Sequence, residues 1–205
     1  MSQATSRGGL RSPDCQAEST VTTLPYRRSV RLSTYDYSQP NAYFVTICTA
    51  NRRCLFGTIV DDIMQLNAYG RIVEEEWLRI PQMRPAVSLD EFIVMPNHLH
   101  ALVVIVKETN AAGDRRSPRH GSGPSSGSLG SMIGGFKSAS TGRINQLRTG
   151  RTPIWQRNYY EHVIRSEKAH ESVGNYILAN PTNWHCDREN PSVATQPKMI
   201  EPWHR

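Results

Sequence analysis

The chain has 205 residues, with 24 Lys plus Arg against 18 Asp plus Glu and a formal net charge of +6 at neutral pH. That length holds one ordinary domain with loose ends, and a 38% share of hydrophobic residues is low for a chain packed throughout. No apolar run approaches the ~18 residues a membrane helix needs, which argues against a spanning protein, and the basic excess is compatible with a polyanionic partner.

Residues 1–39 are rich in Ser, Thr and Arg, have few apolar clusters, and are expected to form a largely disordered leader. The opening MSQATSRGGLRSPDCQ lacks the apolar centre of a secretory signal, so the expected location is cytoplasmic. Cys15, Cys48, Cys54 and Cys186 are scattered without a CxxC, which predicts free thiols and gives no spacing for a cysteine zinc site. The run AYFVTICTA at 42–50 is β-branched and aromatic, follows Pro40, and predicts the first strand.

Over 61–79, Ile63, Leu66, Tyr69, Ile72, Val73 and Trp77 recur at helical spacing. A helix is predicted there, capped by Asp61 or Asp62 and ended at Ile80-Pro81. Residues 88–106 predict two strands joined at Met95-Pro96-Asn97, because proline cannot donate to a ladder. Residues 107–128 switch to Gly, Ser, Pro and Arg and predict a flexible loop carrying Lys107, Arg115, Arg116 and Arg119.

Helical signals return over 129–147, weakened by three glycines. Residues 153–165 predict a loop leading into a short strand, and 166–180 a helix capped by Ser166 and stopped by Pro181. Residues 186–205 are expected to be a polar tail. Strands adjacent as hairpins and interleaved with helices predict an α+β domain over 40–185, an antiparallel sheet with helices packed on it.

Three features carry candidate chemistry. On a strand, His98 and His100 project from one face and Leu99 from the other, so two imidazoles can share one divalent cation. The apolar run 101–106 would hold them rigidly, and Asn97 is placed to orient the turn before them. On the last helix, Tyr176 and Asn180 lie four residues apart on one face. A tyrosine hydroxyl can act as a nucleophile beside a metal, and an Asn oxygen suits a hard ion such as Mg²⁺ or Mn²⁺. Taken alone, these two residues read more readily as a packing tyrosine and a helix end before proline. Third, Lys137, Arg143, Arg148, Arg151 and Arg157 fall in an acid-free stretch with Trp155, Tyr159 and Tyr160 near its end. Such a stretch is either a phosphate- and base-binding surface or a solvated basic face over core aromatics.

The strings FIVMPNHLHALVVI, IGGFKSAS, PIWQRNYYEHVIR and NYILANPTNW stand in this order over roughly residues 25–185. Together they resemble the REP-associated tyrosine transposases, within the HUH (His-hydrophobic-His) single-strand transposases of the Y1, single-tyrosine type. The resemblance implies a ferredoxin-like α+β core. It implies His98 and His100 as metal ligands, Asn180 as the third, Mg²⁺ or Mn²⁺ as the cofactor, and Tyr176 as the nucleophile in preference to Tyr159 or Tyr160. The implied activity is single-stranded DNA cleavage and strand transfer through a 5′-phosphotyrosine at hairpin DNA, by a monomer or homodimer. The runner-up is a non-catalytic nucleic-acid-binding protein on the same scaffold, since fold alone does not decide function. A His-x-His metalloenzyme acting on a small molecule is weaker, because no carboxylate base lies nearby in sequence.

Overall fold

The structure, a computed structural model, describes residues 40–106 and 127–193. The expected leader at 1–39, most of the 107–128 loop with its four basic residues, and the tail beyond 193 lie outside the described residues.

Strands β1 (Asn41–Cys48), β4 (Val87–Val94), β5 (His98–Ile105) and β6 (Tyr160–Ile164) form one antiparallel sheet in the order β4-β5-β1-β6. Helix α1 (Ala68–Leu78) joins β1 to β4, and helix α3 (Leu129–Leu147) joins β5 to β6. This split β-α-β arrangement is the ferredoxin-like α+β topology expected from the sequence. A short helix α2 (Ile80–Met83) follows α1, and helix α4 (Glu167–Leu178) follows β6. No helix among the described residues is long and apolar enough to cross a membrane.

One predicted element is corrected. The expected helix over 61–79 begins only at Ala68, and the residues before it form a hairpin of β2 (Gly57–Val60) and β3 (Ile63–Leu66). Asp61 and Asp62 sit at φ 50° and 60°, the left-handed pair that a two-residue hairpin turn needs, and Asp tolerates it. Ile63 therefore leaves the apolar stripe and is 65% exposed. The true cap is Asn67, whose Oδ1 accepts the Tyr69 and Gly70 amides at 2.9 and 3.0 Å. Gly70 is required there, because a Cβ would lie 2.2 Å from the Phe56 carbonyl oxygen.

Strand alternation sends the sheet's residues to two different environments. Tyr43, Val45, Ile47, Leu99, Ala101, Val103 and Ile105 point to one face. They pack there with Trp77 of α1 and Phe136 of α3, whose rings meet edge-on at 5.0 Å. The opposite face carries Phe44, Leu102 and Ile164, covered by Val173 and Ile177 of α4. Helix α4 packs on β4, β5 and β6, with its start capped by Ser166 accepting the Ala169 amide at 3.2 Å. A bulge sets Asp90 and Glu91 of β4 opposite Leu102, and Asp90 meets His170 of α4 at 2.5 Å. This contact ties the last helix to the sheet edge.

Candidate active site

The histidines are held by the turn between β4 and β5. Asn97 is buried there and gives both amide hydrogens to carbonyls, Arg52 O at 3.0 Å and Glu189 O at 2.6 Å. Its Oδ1 must then be the atom 2.9 Å from His98 Nδ1, so Nδ1 carries the proton and donates. The lone pair of His98 falls on Nε2, a buried atom with no hydrogen-bond partner among the described residues. It faces Asp187 Oδ2 at 3.9 Å. His100 Nδ1 meets Thr46 Oγ1 at 2.9 Å, and its Nε2 meets the Tyr176 hydroxyl at 3.5 Å. The two imidazole centroids are 4.3 Å apart.

Burial lowers the pKa of both rings, against the pull of Asp187 and Glu189 on His98 and with the help of His98 and Arg188 on His100. Neutral imidazoles with available lone pairs are what a cation needs. His98, His100 and Asp187 each bring one ligand atom, all within 4.8 Å of one another. Asn180 is buried, and its Oδ1 has no hydrogen-bond partner among the described residues.

Asp187 is the residue that sequence reasoning missed. The segment from 186, expected to be tail, is packed at its start: a short 3-10 turn at Trp184–Cys186 is followed by buried Asp187, Glu189 and Asn190. Asp187 Oδ1 accepts the Glu189 amide at 2.6 Å, which leaves Oδ2 toward His98. Glu189 binds Arg52 at 3.1 Å and accepts from the Cys48 thiol at 3.3 Å. Burial pushes the Glu189 carboxyl up, but Arg52, His98 and Arg188 outweigh it and hold it below its usual value. Burial, reinforced by Glu189, raises Cys48 well above its ordinary value and keeps it a thiol. Nothing in local periodicity marks Asp187; its only signal is that it opens the charged Asp187-Arg188-Glu189 run after the last helix.

Tyr176 stands on α4 over this cluster, half-buried, its ring centroid 5.4 Å from His100 and 6.1 Å from Phe44 of the same chain. Tyr159 and Tyr160 point to opposite faces, as strand geometry requires: Tyr159 packs with the α1 and α3 core, Tyr160 beside Phe44.

The basic stretch divides. Trp155 is corrected from a stacking platform to a core residue: it is 8% exposed, packs on Phe56 and Phe136, and donates Nε1–H to Ser140 at 3.0 Å. Lys137 donates to the carbonyls of Gln156, Arg157 and Asn158 at 2.8, 3.3 and 3.1 Å, and burial lowers its pKa to about 8. Arg143 bridges α3 to Glu75 and Glu76 of α1 at 2.6 and 2.9 Å. Arg148 caps its own loop through Asn145 and Thr152. These three cations serve the protein's own carbonyls and carboxylates, whereas Arg151 and Arg157 are exposed.

A protein of Haemophilus influenzae, described as uncharacterized, is 39% identical over 169 residues, spanning 80% of this chain and 93% of that one. No family model matches. Among solved structures, the chain is similar to a REP-associated tyrosine transposase bound to a REP hairpin, at 19% identity and a TM-score of 0.49 over 78% of this chain and 73% of that one. It is also similar to a putative transposase from Deinococcus radiodurans, at 17% identity and a TM-score of 0.39 over 71% of this chain and 92% of that one. The chain belongs to one family with the Haemophilus influenzae protein, and its split β-α-β sheet, with a tyrosine-bearing helix on the histidine face, has the ferredoxin-like arrangement expected from the sequence.

Proposed function

We propose that this protein is a metal-dependent single-stranded DNA endonuclease and strand transferase, with Tyr176 as nucleophile and hairpin-containing DNA as substrate. The observation that carries this reading is the approach of the Tyr176 hydroxyl to His100 beside a buried His-His-Asp cluster in the same chain. A cation fits this donor set: the His98 Nε2 lone pair is desolvated, and the Asn180 oxygen is likewise buried without a hydrogen-bond partner among the described residues. His98, His100 and Asp187 would hold it, with Asn180 as a further oxygen donor. Two imidazoles with carboxylate and amide oxygens suit Mn²⁺ or Mg²⁺. Such an ion supplies charge withdrawal from a phosphate and eases departure of an alkoxide.

The rest falls to side chains. Asn97 and Thr46 fix the ring orientations of His98 and His100. Phe44 supports the Tyr176 ring edge-on, and α4 holds its hydroxyl at the cluster. Tyr176 Oη forms a bond to the scissile phosphorus while the bond from phosphorus to the 3′-oxygen breaks. The phenol proton passes to water, and the 3′-oxygen takes up a proton to leave as a hydroxyl. The resulting 5′-phosphotyrosine keeps the phosphodiester energy, so attack by another 3′-hydroxyl rejoins the strand and frees Tyr176. Exposed Arg151 and Arg157 offer phosphate contacts.

The test is cleavage of end-labelled hairpin DNAs with flanking single strand. Cutting should need Mn²⁺ or Mg²⁺, stop in chelator, and vanish in His98→Ala while DNA binding survives. Cutting that persists in chelator contradicts the reading, and binding without any cutting favours the non-catalytic alternative.

A further inference from the structure

Arg188 follows Asp187 in the chain, so it stands one residue from a proposed metal ligand. Its guanidinium lies over the Tyr160 ring at 5.6 Å, and its Nε donates to Glu189 at 3.1 Å. Both supports are themselves fixed. Tyr160 is the sheet partner of Thr46, which bonds His100, and its ring lies 6.2 Å from that of Phe44. Glu189 is buried and tied to Arg52 and Cys48. Phe44 is shared: His100, Tyr160 and Tyr176 all surround it at centroid distances of 5.3 to 6.2 Å. The arginine therefore lies against the same aromatic cluster that carries the nucleophile and His100, with its side chain 30% exposed.

We infer that Arg188 is a phosphate-binding residue of this site, its guanidinium held by Tyr160 and Glu189 to receive the non-bridging oxygens of the phosphodiester that Tyr176 attacks. This rests on the proposed nuclease reading. A planar fork of donors matches phosphate oxygens, and a pre-oriented cation is most effective where charge accumulates in the transition state. A surface arginine held only for stability needs neither an aromatic support nor a position beside the cluster. Glu189 fits the same role: buried and paired with Arg52 as well, it is a fixed anchor for the direction of the fork.

The experiment has two arms. First, wild-type protein is incubated with labelled hairpin DNAs and Mn²⁺, and the cleaved link is mapped. Arg188→Ala should form the covalent adduct about 100-fold more slowly in single turnover, and Arg188→Lys should recover part of that rate. Second, affinity is measured in chelator in a Tyr176→Phe background, for DNA with an ordinary phosphate or a neutral methylphosphonate at the mapped link. Removing that one charge should weaken binding about 10-fold when Arg188 is present and leave it unchanged in Tyr176→Phe/Arg188→Ala. If Arg188→Ala melts at a lower temperature than wild type, Arg188→Lys is read in both arms. An equal methylphosphonate penalty with and without Arg188, or an undiminished adduct rate, overturns the assignment while leaving the nuclease reading intact. Absence of any wild-type adduct overturns both.

Discussion

The two faces of the sheet use the same strands for opposite ends. Beneath α1 and α3, the alternate side chains of β1 and β5 from Tyr43 to Ile47 and from Leu99 to Ile105 are buried hydrophobics, with Trp77, Phe136 and Trp155 in mutual ring contact or close to it. Beneath α4, the same strands present Thr46, His98 and His100, and two buried polar atoms there lack hydrogen-bond partners among the described residues. Leaving such atoms unpaired costs about 1–3 kcal/mol each. The α1/α3 face carries one such atom as well, Trp77 Nε1, but only the α4 face brings imidazole, carboxylate and amide groups together, as expected where a face binds something. The difference teaches that stability and chemistry can be separated by one residue of strand alternation.

That separation can be broken deliberately. Trp155→Ala, on the α1/α3 face, should cost about 3–5 kcal/mol in denaturant unfolding, because it empties a packed site and removes a donor to Ser140 Oγ. If it instead leaves stability intact and weakens DNA binding, Trp155 is a stacking residue and its place in the core is wrong. Lys137→Met should cost about 1–3 kcal/mol by leaving three carbonyls without their common donor. On the other face, Asp187→Asn should change chelator-treated stability by about 1 kcal/mol or less, yet reduce the rise in melting temperature that Mn²⁺ produces in wild type. An undiminished rise would remove Asp187 from the ligand set. Exchanging Arg151 and Arg157 for Ala should leave stability within about 0.5 kcal/mol while flattening the salt dependence of DNA binding, by about one unit of slope for each lost phosphate contact.

Much of the α1/α3 face was legible in the sequence. The helix over 129–147 has the same bounds as α3, because its apolar spacing is continuous and Ser128 caps it. The strand–turn–strand over 88–106 was legible because proline punctuates it. The β2–β3 hairpin was not: Ile63 and Leu66 fit helical spacing as well as a ribbon, and only the left-handed Asp pair decides between them. On the other face, strand periodicity alone puts His98 and His100 on one side, whereas Tyr176 stood out only through the resemblance of the NYILANPTNW string to a known family. Asp187 and Arg188 were not, because their positions depend on a polar segment folding back onto Asn97 and Cys48 across about half the chain. The basic stretch misled for a related reason: charge alone does not say whether a cation serves a phosphate or, like Lys137 and Arg143, the protein's own oxygens.

The most direct measurement is the identity of the residue that carries DNA after reaction. Wild-type protein would be incubated with hairpin DNA and Mn²⁺, digested, and its nucleotide-bearing peptide sequenced by mass spectrometry. The adduct should lie on the peptide containing Asn175-Tyr176-Ile177 and be absent from Tyr176→Phe, a variant that should differ from wild type by about 1 kcal/mol or less in stability. An adduct on Tyr159 or Tyr160, or one that survives in Tyr176→Phe, would contradict the account.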